Sequence, residues 1–240
     1  MECYEPNHAH FVALAFLMTG FVGFVGTVLM FGALLTRRWE PARKIFIALV
    51  ALSCMYGATV LAASLASSEK IVRAGGRKYF CELDCHLAYS VTGIQTAKTL
   101  GSGEKQATAE GMFYVVTLQT FFDPETTSAN RGNGVLHPNL RMIRILDEAG
   151  KNFAPSLEGL KVLEATAAKM VPLDQALRPG GKYETTFVFD LPSDAKNPRL
   201  WLTDPLPVNW LLIGHENSFL HKKVYFGLDT GKVTAETQPN

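Results

Sequence analysis

Phe11–Leu35 reads FVALAFLMTGFVGFVGTVLMFGALL and holds no ionisable side chain over its 25 residues. A helix rises about 1.5 Å per residue and the hydrocarbon core of a bilayer is roughly 30 Å thick, so this run can cross a membrane with some tilt. Residues 45–65 form a second uncharged run of spanning length. Neither run reads as a cleaved signal peptide. Glu2 and Glu5 precede the first run without a Lys or Arg, so it lacks a positive n-region. The second is too long for a signal h-region. Residues 1–68 are therefore expected to form a transmembrane hairpin, with helices at about 11–35 and 45–66.

Charge placement orients the hairpin. Arg37, Arg38, Arg43 and Lys44 crowd the link, while the N-terminal tail has no basic side chain except His8 and His10, which read as interfacial. The excess of Lys and Arg on the cytoplasmic side puts the link inside and everything after residue 66 outside. Lys70, Arg73, Arg77 and Lys78 pull the other way, but the first helix usually sets the orientation. The expected location is the inner membrane of a bacterial cell, multi-pass, with the C-terminal part periplasmic. Gly20, Gly23 and Gly26 are spaced by three, and Ala58, Ala62 and Ala66 by four. Small residues at such spacing let two helix backbones approach closely.

The chain has 240 residues, 48% of them hydrophobic and 19% charged, with a formal net charge of +1. That composition excludes a disordered chain and supplies no field for binding nucleic acid. After the hairpin the composition changes. Residues 69–78, with Gly75 and Gly76, read as a polar linker. From there to 240 the pattern is that of strands. Tyr79, Cys81, Leu83, Cys85, Leu87, Tyr89 and Val91 alternate along one face of a strand over 79–91, while His86 takes the other face. Residues 97–109 read as a loop. Further strands are expected at 111–122 (GMFYVVTLQTFF), 140–146, 183–191, 200–202, 208–213 and 223–228, and one short helix at 156–170 begins at Ser156. The expected fold is a membrane-anchored all-β protein. Its domain at 79–240 would be an antiparallel immunoglobulin-like β-sandwich with one short inserted helix.

Three motifs carry a resemblance. They are the VVT strand within 111–122, the D-x-x-G-K-x-F hairpin from Asp147 to Phe153, and PGG-K-x-x-x-x-F-x-F-D-L-P from Pro179 to Pro192. Over about residues 79–204 the chain resembles a broad bacterial family of exported immunoglobulin-like domains. Many of its members are lipoproteins or membrane-anchored proteins of unknown function. The resemblance implies the fold and an extracytoplasmic setting, and brings no catalytic motif. A two-helix hairpin departs from that family's single anchor.

Cys81-Glu82-Leu83-Asp84-Cys85-His86 is the sharpest local feature. Two thiolates and an imidazole suit a metal. Two membrane helices before an outer β-domain is also the layout of cytochrome oxidase subunit II, whose copper motif resembles C-x-x-x-C-x-x-x-H with a methionine four residues on. Cys81 and Cys85 fit its start, but Tyr89 and Gly93 stand where the His and Met belong. A second reading is a disulfide between Cys81 and Cys85. Residues four apart in a straight strand lie about 13 Å apart, and a disulfide needs roughly 4.4–6.8 Å. Bonding therefore requires a sharp bend between them. The third reading places both cysteines in the core.

Other candidates fail on spacing. His215-Glu216 and His221 have too many residues between them for a zinc-protease helix, and read as a turn. Arg131-Gly132-Asn133-Gly134 has no strand-to-helix setting for phosphate, and His137 reads as a loop residue. No G-x-S-x-G elbow occurs. The expectation is a non-enzymatic, cofactor-free binding or accessory protein. It would be a protein–protein interaction module or a subunit of a membrane complex, partnered by the bilayer and another membrane or periplasmic protein. The alternative is a copper or redox protein built on Cys81, Cys85 and His86.

Overall fold

The computed structural model describes residues 3–4, 9–82, 85–103, 105–128, 130–166 and 171–228, and of residues 3, 4, 9, 10, 82, 85, 86 and 166 the backbone alone. The chain forms two compact units. One combines Asn7–Glu69 with Leu206–Lys223, and the other takes the rest.

In the first unit, α1 (Ala9–Leu35) and α2 (Trp39–Leu65) are both long and apolar enough to cross a membrane. The turn between them is tighter than the basic link suggested. Arg37 adopts φ 55°, its amide donates to the Leu34 carbonyl, and the Arg38 amide donates to that of Ala33. That pair of bonds is a Schellman closure with Arg in the left-handed position that glycine usually takes. The second helix then starts at Trp39, before Pro41, rather than at 45. A proline in the first turn sacrifices no helical bond, because amides there have no partner within the helix, and Glu40 favours the same end.

The half-buried positions of α1 are Val12, Phe16, Thr19, Gly23, Gly26, Met30 and Ala33, with Leu34 beside the last. They alternate in steps of four and three, the 3.5-residue seam of a coiled-coil-like pair. On α2 the inward positions are Ala42, Ile45, Leu49, Leu52, Tyr56, Val60, Ala63 and Ser64. A Cβ on Gly26 would lie 2.8 Å from Leu49 Cδ2, while nothing approaches Gly20 within 4 Å. Ala58, Ala62 and Ala66, expected in the seam, are exposed instead. They sit two residues, about 200°, round the helix from Tyr56, Val60 and Ser64.

The second unit is a β-sandwich of two open five-stranded sheets. Its strands are β1 (Cys3–Tyr4), β2 (Lys70–Val72), β3 (Arg77–Glu82), β4 (Cys85–Ser102), β5 (Lys105–Phe122), β6 (Met142–Leu146), β7 (Asn152–Phe153), β8 (Lys182–Leu191), β9 (Arg199–Thr203) and β10 (Val224–Gly227). One sheet runs β1-β3-β4-β5-β8 and the other β2-β10-β9-β6-β7. β1 on β3 and β2 on β10 are parallel pairs, so the sandwich is not purely antiparallel. Leu87, Tyr89, Val91, Val116, Leu118, Phe122, Phe189 and Leu191 of the first sheet meet Ile143, Ile145, Leu200, Leu202, Val224 and Phe226 of the second in one core.

β5 explains its own composition. Its even positions from Val116 to Phe122 face the inter-sheet core, and its odd positions Ala109, Phe113 and Val115 face α3 (Leu157–Thr166) through Leu160 and Leu163. A strand covered on both faces loses polar alternation, which is why FYVVTLQTFF is nearly continuous in apolar and aromatic side chains. Ser156 caps α3, its Oγ accepting from the Gly159 amide at 3.2 Å.

Three stretches differ from their sequence reading. Residues 97–109 are not a loop: β4 and β5 continue through them as one long hairpin that turns at Gly103 (φ 59°). Lys98 Nζ donates to the carbonyls of Ala109, Glu110 and Gly111 at 2.8–3.0 Å, holding the bulge near Ala97 and Thr99. The expected linker at 69–78 carries β2 and the start of β3. Residues 208–213 are not a strand but largely a 3-10 helix, Pro207–Leu211, within the helical unit.

Candidate functional site

The stretch 79–91 is not one strand. β3 and β4 pair antiparallel with Glu82 opposite Cys85 and Cys81 opposite His86. The chain does reverse between Cys81 and Cys85, but the two occupy neighbouring rows of the ladder and so take opposite faces, which disfavours a bond between them. The hairpin also brings His86 into the same cross-strand row as Cys81, whereas a straight strand puts them on different faces. Cys81 is exposed, which corrects its placement in the core. The sheet ends near it and leaves it at the edge. The side chains of Cys85 and His86 lie outside the described residues. Among the described residues no group of three His, Cys, Asp or Glu side chains converges as a metal site.

An open cleft of about 530 Å³ lies elsewhere on the sandwich, within the size range of ligand pockets. Its lining includes Glu110 and Gly111 of β5, Lys151 and Phe153 of the β6–β7 turn, and Asp190 and Ser193 at the end of β8. β5 and β8 stop pairing at Met112 and Leu191. Beyond that point the Asp190 carboxylate takes over, accepting from the Glu110 amide at 2.7 Å and the Gly111 amide at 3.1 Å. Asp190 is thereby a structural closure. The Lys151 ammonium lies 5.3 Å from the centre of the Phe153 ring, and the Glu110 carboxylate is exposed. The cleft is thus lined by a cation, an anion and an aromatic ring.

The sequence reading missed a buried cationic cluster. Lys78, read as part of a linker, is 1% exposed and donates to the carbonyls of Leu202 (2.7 Å) and Val224 (3.1 Å) on the facing sheet. Arg141 lies 4.5 Å from the Phe80 ring centre and pairs with Asp204 at 3.3 Å. Tyr79 donates to Asp123 at 3.0 Å. Burial pushes the Tyr79 phenol above its ordinary range, a hydrogen bond from Arg77 opposes this, and Asp123 adds to it. Burial likewise raises Tyr183, with Thr120 and Arg141 opposing and Asp174 reinforcing. The only sequence signal for Lys78 was its position between Arg77 and the alternating apolar run. Its role is to close carbonyls between sheets.

No family model matches the chain, and no curated protein matches it. Solved structures give low likenesses. A secreted protein from Mycobacterium tuberculosis, MPT63, is 9% identical with a TM-score of 0.41, covering 68% of this chain and 99% of that one. A conserved hypothetical protein from Bacillus anthracis is 12% identical with a TM-score of 0.37, covering 54% and 89%. The yjhA protein from Bacillus subtilis is 14% identical with a TM-score of 0.37, covering 66% and 100%.

Proposed function

We propose that this chain is a membrane-anchored, extracytoplasmic binding or accessory protein of a bacterial inner membrane. It would act without catalysis or cofactor as an interaction module or a subunit of a membrane complex. The observation that carries the reading is the outside of the helical pair. Phe11, Leu14, Leu17, Phe21, Phe24, Val28, Phe31, Phe46, Ile47 and Met55 are all exposed. An apolar surface that encircles two spanning-length helices fits hydrocarbon and not water. Arg37, Arg38, Arg43 and Lys44 at one end favour that end as the cytoplasmic one. Both other ends of the helices lead within a few residues into the sandwich, to β1 before α1 and to β2 after α2. That connectivity is what a sandwich held on one side of the membrane needs, and it supports the reading of an immunoglobulin-like domain in the periplasm.

The cleft around Lys151, Phe153 and Glu110 is the surface best suited to a peptide segment of a membrane or periplasmic partner. Alkaline phosphatase fused at Asn240 should be active, and the chain should resist carbonate extraction. An active cytoplasmic reporter at the same position would reverse the topology. The copper alternative draws support from the register that sets Cys81 against His86. Stoichiometric copper with visible absorption in the purified chain, lost in Cys81→Ala, would favour it over the accessory reading.

A further inference from the structure

Residues 206–223 join β9 to β10, and their backbone closes on itself. The amides of Asn209, Leu212, His215, Ser218 and His221 each donate to the carbonyl three residues earlier, on Leu206, Asn209, Leu212, His215 and Ser218. The polar side chains turn inward. Asn209, Glu216 and Ser218 are buried, the Ser218 hydroxyl donates to the Leu212 carbonyl, and Lys223 Nζ donates to the Glu216 carbonyl at 3.0 Å. Burial holds the Lys223 amine below its ordinary value, with the Glu216 carboxylate working the other way. The apolar side chains turn outward: Leu206, Val208, Leu211 and Leu220 are exposed, with Trp210 at 63% and Phe219 at 71%. Single exposed apolar residues are ordinary, but a run of them over a backbone folded into successive turns is not how a loop meets water.

Two hydrogen bonds fix this segment to α2. The Tyr56 hydroxyl donates to the Leu211 carbonyl at 2.9 Å, and the Lys222 amide donates to Ser67 Oγ at 2.8 Å. Ser67 lies just past the end of α2. Tyr56 lies within the uncharged run, roughly 13 Å along the axis before Leu65 at about 1.5 Å per residue. The segment thus runs alongside the C-terminal part of α2, and the solvent that covers α2 there also covers Trp210 and Leu211.

Resting on the reading of α1 and α2 as membrane-spanning, we propose that residues 206–223 form a wedge that enters the outer leaflet of a phospholipid bilayer beside α2. Trp210 and Leu211 reach acyl-chain depth, and Lys222 stays among the headgroups. Irregular backbone survives at that depth only where protein satisfies its polar groups, a need that the five successive turns and the Tyr56 bond to the Leu211 carbonyl meet for the groups they join. Trp, Phe and Leu on one side with Lys at the margin is the composition of elements that lie in the membrane interface.

The test uses the full chain in phosphatidylcholine vesicles. Three versions each keep one of the three tryptophans, Trp39, Trp201 or Trp210, with the other two changed to Phe. Lipids brominated along their acyl chains report contact by quenching. Trp210 and Trp39 should each lose most of their emission, and Trp201 of β9 should keep it. Trp39 quenched with Trp210 unaffected overturns the wedge and leaves the spanning helices standing. Neither quenched overturns both. Trp201 quenched as strongly as Trp210 also overturns the wedge, because the sandwich would then be lying on lipid as a whole. The unaltered chain gives a second measurement with a photoactivatable phosphatidylcholine. Adducts within 206–223 are expected, and adducts confined to α1 and α2 would refute the wedge.

Discussion

Phe24 on α1 is 69% exposed, and Phe226 on β10 is fully buried. The same side chain sits in opposite settings because the two units are built in opposite senses. In the helical unit the seam mixes small residues, Thr19, Gly23, Gly26, Ala33, Ala42 and Ala63, with larger ones such as Phe16, Leu49 and Tyr56, and most of the large apolar side chains cover the outside. In the sandwich Phe, Tyr, Leu and Ile fill the inside. Polar content follows the same inversion: the helical pair has no charge between Phe11 and Leu35, whereas the sandwich buries Lys78, Arg141, Asp123 and Asp147. Apolar content therefore says little by itself. Which side of each element carries it identifies the solvent that the element is built for.

The sharpest way to break this comparison is to truncate the two phenylalanines. Phe226→Ala should cost about 3–5 kcal/mol of sandwich stability, because it opens a cavity in a fully buried core. Phe24→Ala should change the stability of the detergent-solubilised chain by less than about 0.5 kcal/mol, as an exposed substitution does. Chemical denaturation followed by near-ultraviolet circular dichroism reads both, and comparable losses would erase the contrast. Next in size is the seam. Gly26→Leu must displace Leu49 and should cost about 1–3 kcal/mol, while Gly20→Leu, with open space around it, should be close to neutral. Unfolding in sodium dodecyl sulfate measures the difference, and equal effects would mean that the helices do not meet at Gly26.

α3 sharpens the comparison from the sandwich, where its buried position is Gly159, close against Val188, with Leu160 and Leu163 half-buried beside it. Removing its cap with Ser156→Ala should lower sandwich stability by about 1 kcal/mol, read by the urea midpoint. The smallest effect concerns pH. Tyr183 is held protonated by burial, so its folded pKa is raised above the unfolded value near 10. Its contribution is complete below that value and is lost as the pH rises through the folded pKa. The melting temperature of the sandwich should therefore fall above about pH 10, and Tyr183→Phe should flatten that fall. An unchanged slope would show that other groups drive the alkaline transition.

Much of the architecture was legible in the residues. Uncharged length marked both helices, Ser156 marked the start of α3, β-branched and aromatic content marked β5, and period-two alternation marked β8, because these signals are local and strong. The hairpin over 77–102 was not legible. Tyr79 to Val91 alternates as one strand, but the two-residue connection swaps the faces: Phe80 pairs with Leu87 and Tyr79 with Ala88, so the inter-sheet core takes an even position on β3 and odd positions on β4. The polar stretch 97–109 looked like a loop because hairpin strands with an exposed face need few apolar residues. Register is a property of two strands together, so only the pairing of β3 with β4 could set Cys81 against His86 and carry Cys81 to an exposed edge.

The sequence by itself determined that this chain has two long apolar helices and a β-rich remainder, since length, charge and period are written residue by residue. Tertiary structure alone decided which small residues form the seam, why Lys78 is buried, and that residues 206–223 leave the sheet to join the helices. Apolar residues such as Val208, Trp210, Leu211 and Ile213 have the composition of a strand. Their own successive turns, starting at Pro207, and a hydrogen bond from Tyr56, over 150 residues away in the chain, fix them beside α2, and no local pattern can encode a partner at that distance.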